Sequence, residues 1–128
     1  MRALLDTNTF LWFISDSDRL STNARSYIAD FDNELLLSVA SLWEISIKTS
    51  LGKLELLKPF DQLIPEQLKE SSVNILSIEL SHLSGVIILP FHHRDPFDRL
   101  IIAQGIAEKI PIITSDSAFR NYPVRIIW

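Results

Sequence analysis

The stretch Ala3-Leu4-Leu5-Asp6-Thr7-Asn8-Thr9 sets the pattern that predicts the fold. Its apolar residues favour a short buried strand, and Asp6 with the polar residues after it favours the start of a helix. An acidic residue at the carboxyl end of a strand lies where α/β proteins build their sites. Asp6 is therefore a candidate site residue, although capping of the helix explains it equally well.

The rest of the chain repeats this alternation. Further strands are predicted at residues 35–37, 73–76, 112–114 and 124–127. Helices are predicted at 22–32 after the N-cap Ser21, 39–51 closed by Gly52, 61–70 after Pro59, between Glu79 and Leu89 before Pro90, and from Pro96 to Lys109 after the N-cap Asp95, with a helical turn at 117–121. Such alternation predicts a three-layer α/β/α sandwich around a mainly parallel sheet, without specifying the strand order.

The composition restricts the class of protein. A chain of 128 residues with 47% hydrophobic and 22% charged residues suits one globular domain, spanning 1–128. The absence of cysteine excludes disulfides and thiolate metal sites, and it is compatible with a cytoplasmic protein. No apolar stretch approaches the ~20 residues needed to span a bilayer, so no membrane association is expected. The net charge of −4 argues against a general basic coat for nucleic acid, but not against a nuclease with an acidic, metal-binding site.

Four acidic residues are the candidates for chemistry: Asp6, Glu44, Asp98 and Asp116. Asp116 follows the predicted strand 112–114, where it can also cap the next turn, and Asp98 falls in the first turn of a helix, a favourable place for any acid. Thr114 and Ser115 add hydroxyls that can hold a metal-bound water or satisfy the turn. Clustered carboxylates indicate a hard ion such as Mg²⁺ or Mn²⁺, and such ions often serve phosphate-ester chemistry.

Glu44 lies in an otherwise apolar helical stretch. It can form a capping box with Ser41, or, if Ser38 is the cap, it lies inside the helix among apolar neighbours. A buried carboxylate needs a partner, which is either Lys48 one turn on or a metal ion shared with other carboxylates. We expect the shared metal.

Three further features carry weaker expectations. The adjacent His92 and His93 point apart in most conformations, so a shared zinc site is not expected. His82 is expected at the surface. The apolar run Phe10–Ile14 is too wide for one stripe of a helix, so part of it is expected to contact another chain, unless the helix is buried on several sides.

At these residues the chain resembles the PIN-domain ribonucleases of the VapC toxin type. The resemblance spans nearly the whole chain and is carried by four segments: Leu4–Asn8, Ser41–Lys48 with Leu51–Leu54, His93–Leu100 with Ile102–Gln104, and Ile113–Asp116. It implies a Mg²⁺- or Mn²⁺-dependent endoribonuclease that forms a homodimer and is neutralised by a cognate antitoxin that covers its site. The apolar run and Trp43 are candidates for the antitoxin groove or the dimer face.

Carried over by position, Asp6, Glu44, Asp98 and Asp116 match the family's acidic quartet, which would bind one or two metal ions. Thr7 or Ser115 would supply an accessory hydroxyl. The basic residues nearest in sequence to these acids, and so the candidates for binding the RNA backbone, are Lys48, Lys53, Arg94 and Arg99. Such residues are often surface charges or salt-bridge partners instead. A haloacid-dehalogenase phosphatase would need a second Asp where Asn8 stands. A non-catalytic RNA- or protein-binding module on the same fold is the alternative.

Overall fold

The computed structural model describes residues 1–128. Its strands are β1 (Arg2–Leu5), β2 (Glu34–Ser38), β3 (Val73–Leu76), β4 (Ile112–Ile113) and β5 (Ile126–Ile127). Its helices are α1 (Thr7–Ile14), α2 (Thr22–Ala29), α3 (Val39–Ser50), α4 (Phe60–Glu70), α5 (Leu80–Ile88) and α6 (Pro96–Glu108), and a 3₁₀ turn spans Ser117–Asn121. The predicted alternation of strands and helices is confirmed.

The five strands form one parallel sheet in the order β3-β2-β1-β4-β5. The chain moves outward from β1 through β2 to β3, and then returns to the other side of β1 to form β4. The direction of strand order therefore reverses between β1 and β4. In open α/β sheets, the crevice at the carboxyl end of such a reversal is the usual ligand site. Asp6 directly follows β1, and Asp116 lies three residues beyond β4.

Alternate strand residues supply two cores, one on each face of the sheet. Leu5, Leu37 and Ile113 belong to the core under α1, α2 and α4. Leu4, Leu36 and Ile112 belong to the core under α6. Side chains of a strand alternate between its faces, so these apolar strands are covered on both sides, as a parallel sheet requires. The predicted α/β/α sandwich is thus confirmed.

Local signals placed most element boundaries within a few residues. Ser21 and Asp95 are side-chain N-caps as expected, and Gly52 follows α3 in the left-handed conformation (φ 72°). Helix α2 is the main difference, because it ends at Ala29 and not at residue 32. Ser38, and not Ser41, caps α3 through a 3.0 Å bond from the Ala40 amide.

Two expectations about surfaces were wrong or only half right. His82 is fully buried, where its ring contacts Glu108 and accepts a hydrogen bond from the Glu79 amide. In the run Phe10–Ile14, Phe10 is completely buried, and its four successors are half-buried against the core below α1. The helix is therefore buried on several sides and leaves only part of this run open to a partner. None of the helices is long and apolar enough to cross a membrane.

Candidate metal centre

The four predicted acidic residues meet at the carboxyl edge of the sheet. They surround a small cavity of about 100 Å³ with no hydrophobic residue in its wall. Its wall consists of Asp6, Thr7, Asn8, Glu44, Lys48, Asp95, Asp98, Ser115 and Asp116. Helices α1, α3 and α6, the residues that cap α1 and α6, and the loop after β4 contribute to this wall, so residues distant in sequence form a single polar site.

Asp6 both caps a helix and belongs to the site. Its Oδ1 accepts a 2.8 Å hydrogen bond from the Thr9 amide, which begins α1, and its Oδ2 accepts a 2.6 Å bond from the Thr114 hydroxyl. Burial raises the pKa of this carboxyl above its usual value, although hydrogen bonds from Thr114 and Thr9 oppose that rise and Asp116 adds to it. The capping and site interpretations are therefore compatible.

Glu44 is buried within α3, as expected if Ser38 is the cap. Its Oε1 accepts a 2.7 Å hydrogen bond from the Thr7 hydroxyl, which also lies 2.9 Å from the Ser41 hydroxyl. Its Oε2 lies 2.6 Å from Nζ of Lys48. This bond raises the pKa of Lys48, so the ammonium stays charged beside the cavity. Of the two partners weighed for Glu44, the lysine one turn on is present, and the shared metal ion stays a prediction.

The pKa of Asp98 is also raised. This residue lies in the first turn of α6, whose N-cap Asp95 accepts hydrogen bonds from the amides of Phe97 and Asp98. Burial, followed by the negative charges of Asp95, Glu44, Asp6 and Asp116, raises the pKa of Asp98 to about 8. Without a cation, this carboxyl therefore holds a proton at neutral pH.

Thr114 joins two of the acidic residues. Its hydroxyl donates to Asp6 and accepts a 3.0 Å hydrogen bond from the amide of Asp116. Asp116 in turn caps the 3₁₀ turn through a 2.9 Å bond from the Ala118 amide. Ser115 lines the cavity but is exposed. Of these two hydroxyl residues, Thr114 is the one with direct bonds to the acidic cluster.

The donor set fits a hard divalent cation. Five carboxyl groups line the cavity, and Lys48 is the one cationic side chain in its wall. Burial raises the pKa of Asp98 most, and the other four carboxyl groups raise it further by repulsion. Carboxylate and hydroxyl oxygens are the ligands that Mg²⁺ and Mn²⁺ prefer.

The four basic candidates for RNA binding have different environments. Lys48 faces the cavity, and Lys53 and Arg94 are exposed. Arg99 is buried, and its guanidinium donates to the backbone carbonyls of Val86, Leu89 and Pro90 while stacking over the ring of Phe91. We therefore withdraw Arg99 as an RNA-binding residue, because its donors already hold the loop between α5 and α6.

His93 is a site residue that the sequence reasoning missed. Its Nε2 lies 3.6 Å from Oδ2 of Asp98, and ligand atoms of His93, Asp98 and Asp116 lie within 4.8 Å of one another. The adjacent histidines suggested only a zinc site, which their orientation makes unfavourable. Its position two residues before Asp95, which caps the helix of Asp98, was the available signal.

Comparison with known proteins agrees with this geometry. Residues 3–124 match the model of the PIN domain family. Ribonuclease VapC16 of Mycobacterium tuberculosis is 36% identical over 58 residues, which are 45% of this chain and 41% of that relative. The chain therefore spans less than half the length of this curated relative.

Solved structures share the fold at low sequence identity. VapBC2 from Rickettsia felis, bound to a promoter DNA fragment, has a TM-score of 0.72 with 18% identity over 98% of this chain and 97% of that one. DNA-bound VapBC from Salmonella typhimurium has a TM-score of 0.72 with 17% identity over 98% and 96%. The family match covers nearly the whole sequence, and we conclude that this chain belongs to the PIN domain family.

Proposed function

We propose that this chain is a Mg²⁺- or Mn²⁺-dependent endoribonuclease toxin that hydrolyses RNA phosphodiesters and is neutralised by a cognate antitoxin. The observation that carries the proposal is the convergence of Asp6, Glu44, Asp98 and Asp116 on one polar cavity in a PIN-domain chain. A relative named as a ribonuclease supports the activity. Relatives solved as VapBC complexes support the antitoxin.

The acidic residues would have different roles. Asp6, Asp98 and Asp116 would hold one or two ions, and Glu44 would complete the site or orient a water. Both Glu44 oxygens already accept hydrogen bonds, which favours orientation for this residue. A bound divalent cation lowers the pKa of water and neutralises developing charge on a phosphate.

The charge around the cavity restricts how RNA would approach. An acidic cavity repels phosphates until a cation binds, so substrate binding should depend on the metal. Lys48 would offer its ammonium beside the cavity, and the exposed Lys53 and Arg94 would contact the backbone further out. The accessory hydroxyl would come from Thr7, which holds Glu44, or from Ser115 on the cavity wall.

Cleavage of a total-RNA pool tests the proposal. Purified protein, free of bound partner, is incubated with Mg²⁺, Mn²⁺ or EDTA beside Asp98→Asn and the matched control Asp18→Asn, whose carboxyl is exposed and outside the site. Discrete fragments that require metal, persist in the control and vanish in Asp98→Asn are expected. Folded, metal-loaded protein that cleaves nothing would instead favour the non-catalytic binding module.

An apolar groove beside α1 is the proposed antitoxin site. It encloses about 350 Å³ between α1, α4 and the loop after α3. Its apolar wall is formed by Leu11, Trp12, Ile14, Leu54, Leu56, Leu57 and Leu63. Such a groove accepts the apolar face of a helix from a partner. Leu57→Glu should weaken antitoxin binding and leave RNA cleavage intact. If the antitoxin inhibits Leu57→Glu as strongly as it inhibits the unmodified protein, this placement is refuted.

The exposed face of α5 is the proposed homodimer surface. Leu80, Leu83 and Ile87 form one stripe of this helix, with exposed fractions of 83%, 46% and 81%. Phe91 and Trp43 are also exposed, and Trp43 packs edge-on against Phe97. An apolar stripe of this kind is typical of a protein–protein contact. Ile87→Glu should convert a dimer into a monomer in sedimentation equilibrium, and an unchanged mass would place the contact elsewhere.

A further inference from the structure

The hydroxyl of Tyr122 is surrounded by three nitrogen atoms. The backbone amides of His92 and His93 each donate to it at 3.2 Å, and the ring Nδ1 of His93 lies 3.0 Å away. A phenolic oxygen has two acceptor positions and one hydrogen to donate. Because the two amides fill both acceptor positions, the hydroxyl hydrogen must be donated to Nδ1.

This arrangement determines which nitrogen of His93 carries its proton. A neutral imidazole has one N–H, and a ring whose Nδ1 accepts a hydrogen bond carries that proton on Nε2. The ring is held in place between Phe119 and Tyr122, with centroids 5.7 Å and 5.6 Å away. The Nε2–H is therefore held in a defined direction.

Nε2 of His93 is buried and has no hydrogen-bond partner. Oδ2 of Asp98 lies 3.6 Å from this nitrogen, which is somewhat too long for a hydrogen bond. A buried donor without a partner is unfavourable, so a small shift that closes this gap is favourable. The shift would also stabilise the ionised form of Asp98, the form that binds a cation.

The same proton argues against His93 as a metal ligand. The spacing of His93, Asp98 and Asp116 would admit a shared ion. A ligating nitrogen, however, must present a lone pair, and here Nε2 carries the proton while Nδ1 is taken by Tyr122. The ligand set of this cavity would therefore consist of oxygens alone, as hard cations prefer.

We propose that His93 is a positioning residue that donates Nε2–H to Oδ2 of Asp98, and that the Tyr122 hydroxyl fixes the required tautomer. The other oxygen of Asp98 stays available to a cation. This inference rests on the proposed function in one respect, namely that Asp98 binds the metal. Hydrogen-bonded partners of metal ligands generally orient them, and their loss lowers metal affinity about 10–100-fold.

The first test measures the tautomer directly. Long-range ¹H–¹⁵N correlation spectra of protein labelled at its three histidines distinguish a protonated from an unprotonated ring nitrogen. The signals that disappear in His93→Leu are those of His93. At pH 8 without metal, we expect His93 as the Nε2–H form alone, and added Mg²⁺ should leave it so. Tyr122→Phe, which removes the donor to Nδ1, should give a mixture of tautomers. An Nδ1–H form in the unmodified protein would overturn the proposal.

The second test measures Mn²⁺ affinity by calorimetry in folded variants. His93→Leu should bind Mn²⁺ about 10-fold or more weakly. His93→Gln should recover most of that loss, because its amide can donate from the same place, and His92→Leu should match the unmodified protein. Unchanged affinity in His93→Leu, or nitrogen coupling from His93 in the electron spin echo of bound Mn²⁺, would overturn the proposal. If the unmodified protein binds no metal, the proposed function fails. The tautomer spectrum alone then tests whether Nε2 of His93 carries the proton.

Discussion

Replacing Asp98 by asparagine should stabilise the metal-free protein, and increasingly so as the pH rises. The pKa of Asp98 is raised from 3.8 to about 8, so the folded state holds a proton that the unfolded state has lost. A raised carboxyl pKa makes ionisation unfavourable in the folded state. The loss in free energy of unfolding caused by Asp98 is therefore negligible below about pH 4, grows as the pH rises from 4 to 8, and is constant above pH 8.

The shift sets the size of this effect. The rise from 3.8 to about 8, at about 1.4 kcal/mol for each pKa unit, gives an upper limit of about 6 kcal/mol. Solvent relaxation reduces this limit, since 21% of the Asp98 side chain is exposed, and we expect about 2 kcal/mol for Asp98→Asn above pH 8. The neutral asparagine keeps the shape of the side chain and removes the charge. It also loses a favourable charge near the α6 N-terminus, which is worth about 0.5 kcal/mol in the opposite direction.

Urea unfolding in EDTA at pH 5 and pH 8.5 measures this difference. Asp98→Asn should exceed the unmodified protein in free energy of unfolding at pH 8.5 and nearly equal it at pH 5. The exposed control Asp18→Asn should follow the unmodified protein at both values. If Asp98→Asn is no more stable than the unmodified protein at pH 8.5, or is stabilised equally at both pH values, then burial and like charges do not raise the pKa of Asp98 as described.

Other substitutions test single contacts. Thr114→Val removes the hydroxyl that joins two site carboxyls, and it should cost about 1–3 kcal/mol in urea unfolding and lower Mn²⁺ affinity in calorimetry. Arg99→Lys cannot reproduce the three bonds of the guanidinium to carbonyls, and it should lower the free energy of unfolding by about 3 kcal/mol. The exposed Arg94→Ala should change the free energy of unfolding by less than about 0.5 kcal/mol and weaken RNA binding in filter assays. Lys48→Met removes the cation beside Glu44, which keeps its bond from Thr7, and should cost about 1 kcal/mol and slow RNA cleavage. Unchanged cleavage would exclude a role for this ammonium.

The parts of the fold that depend on local chemistry could be predicted from the sequence. Short apolar strands followed by Asp6 or Asp116 indicated both the sheet and the edge at which these acids lie. Asp95-Pro96 marked the start of α6 within one residue. The order of the strands could not be predicted, because it depends on contacts between segments far apart in the chain.

Contacts between distant residues account for the errors and omissions. His82 and Arg99 look like surface residues by type, yet both are buried where α5 meets α6 and have polar partners there. The role of His93 depends on Tyr122, 29 residues away. No pattern near either residue reveals that pairing.

Calorimetric titration of the purified protein with Mg²⁺ or Mn²⁺ at pH 8 tests the central claim most directly, namely that the acidic cavity is a divalent-cation site. We expect saturable binding that is lost in Asp98→Asn and retained in Asp18→Asn. Binding should also weaken below pH 8, because the cation must then displace the proton of Asp98. Absence of binding, or equal binding by Asp98→Asn, would contradict the assignment.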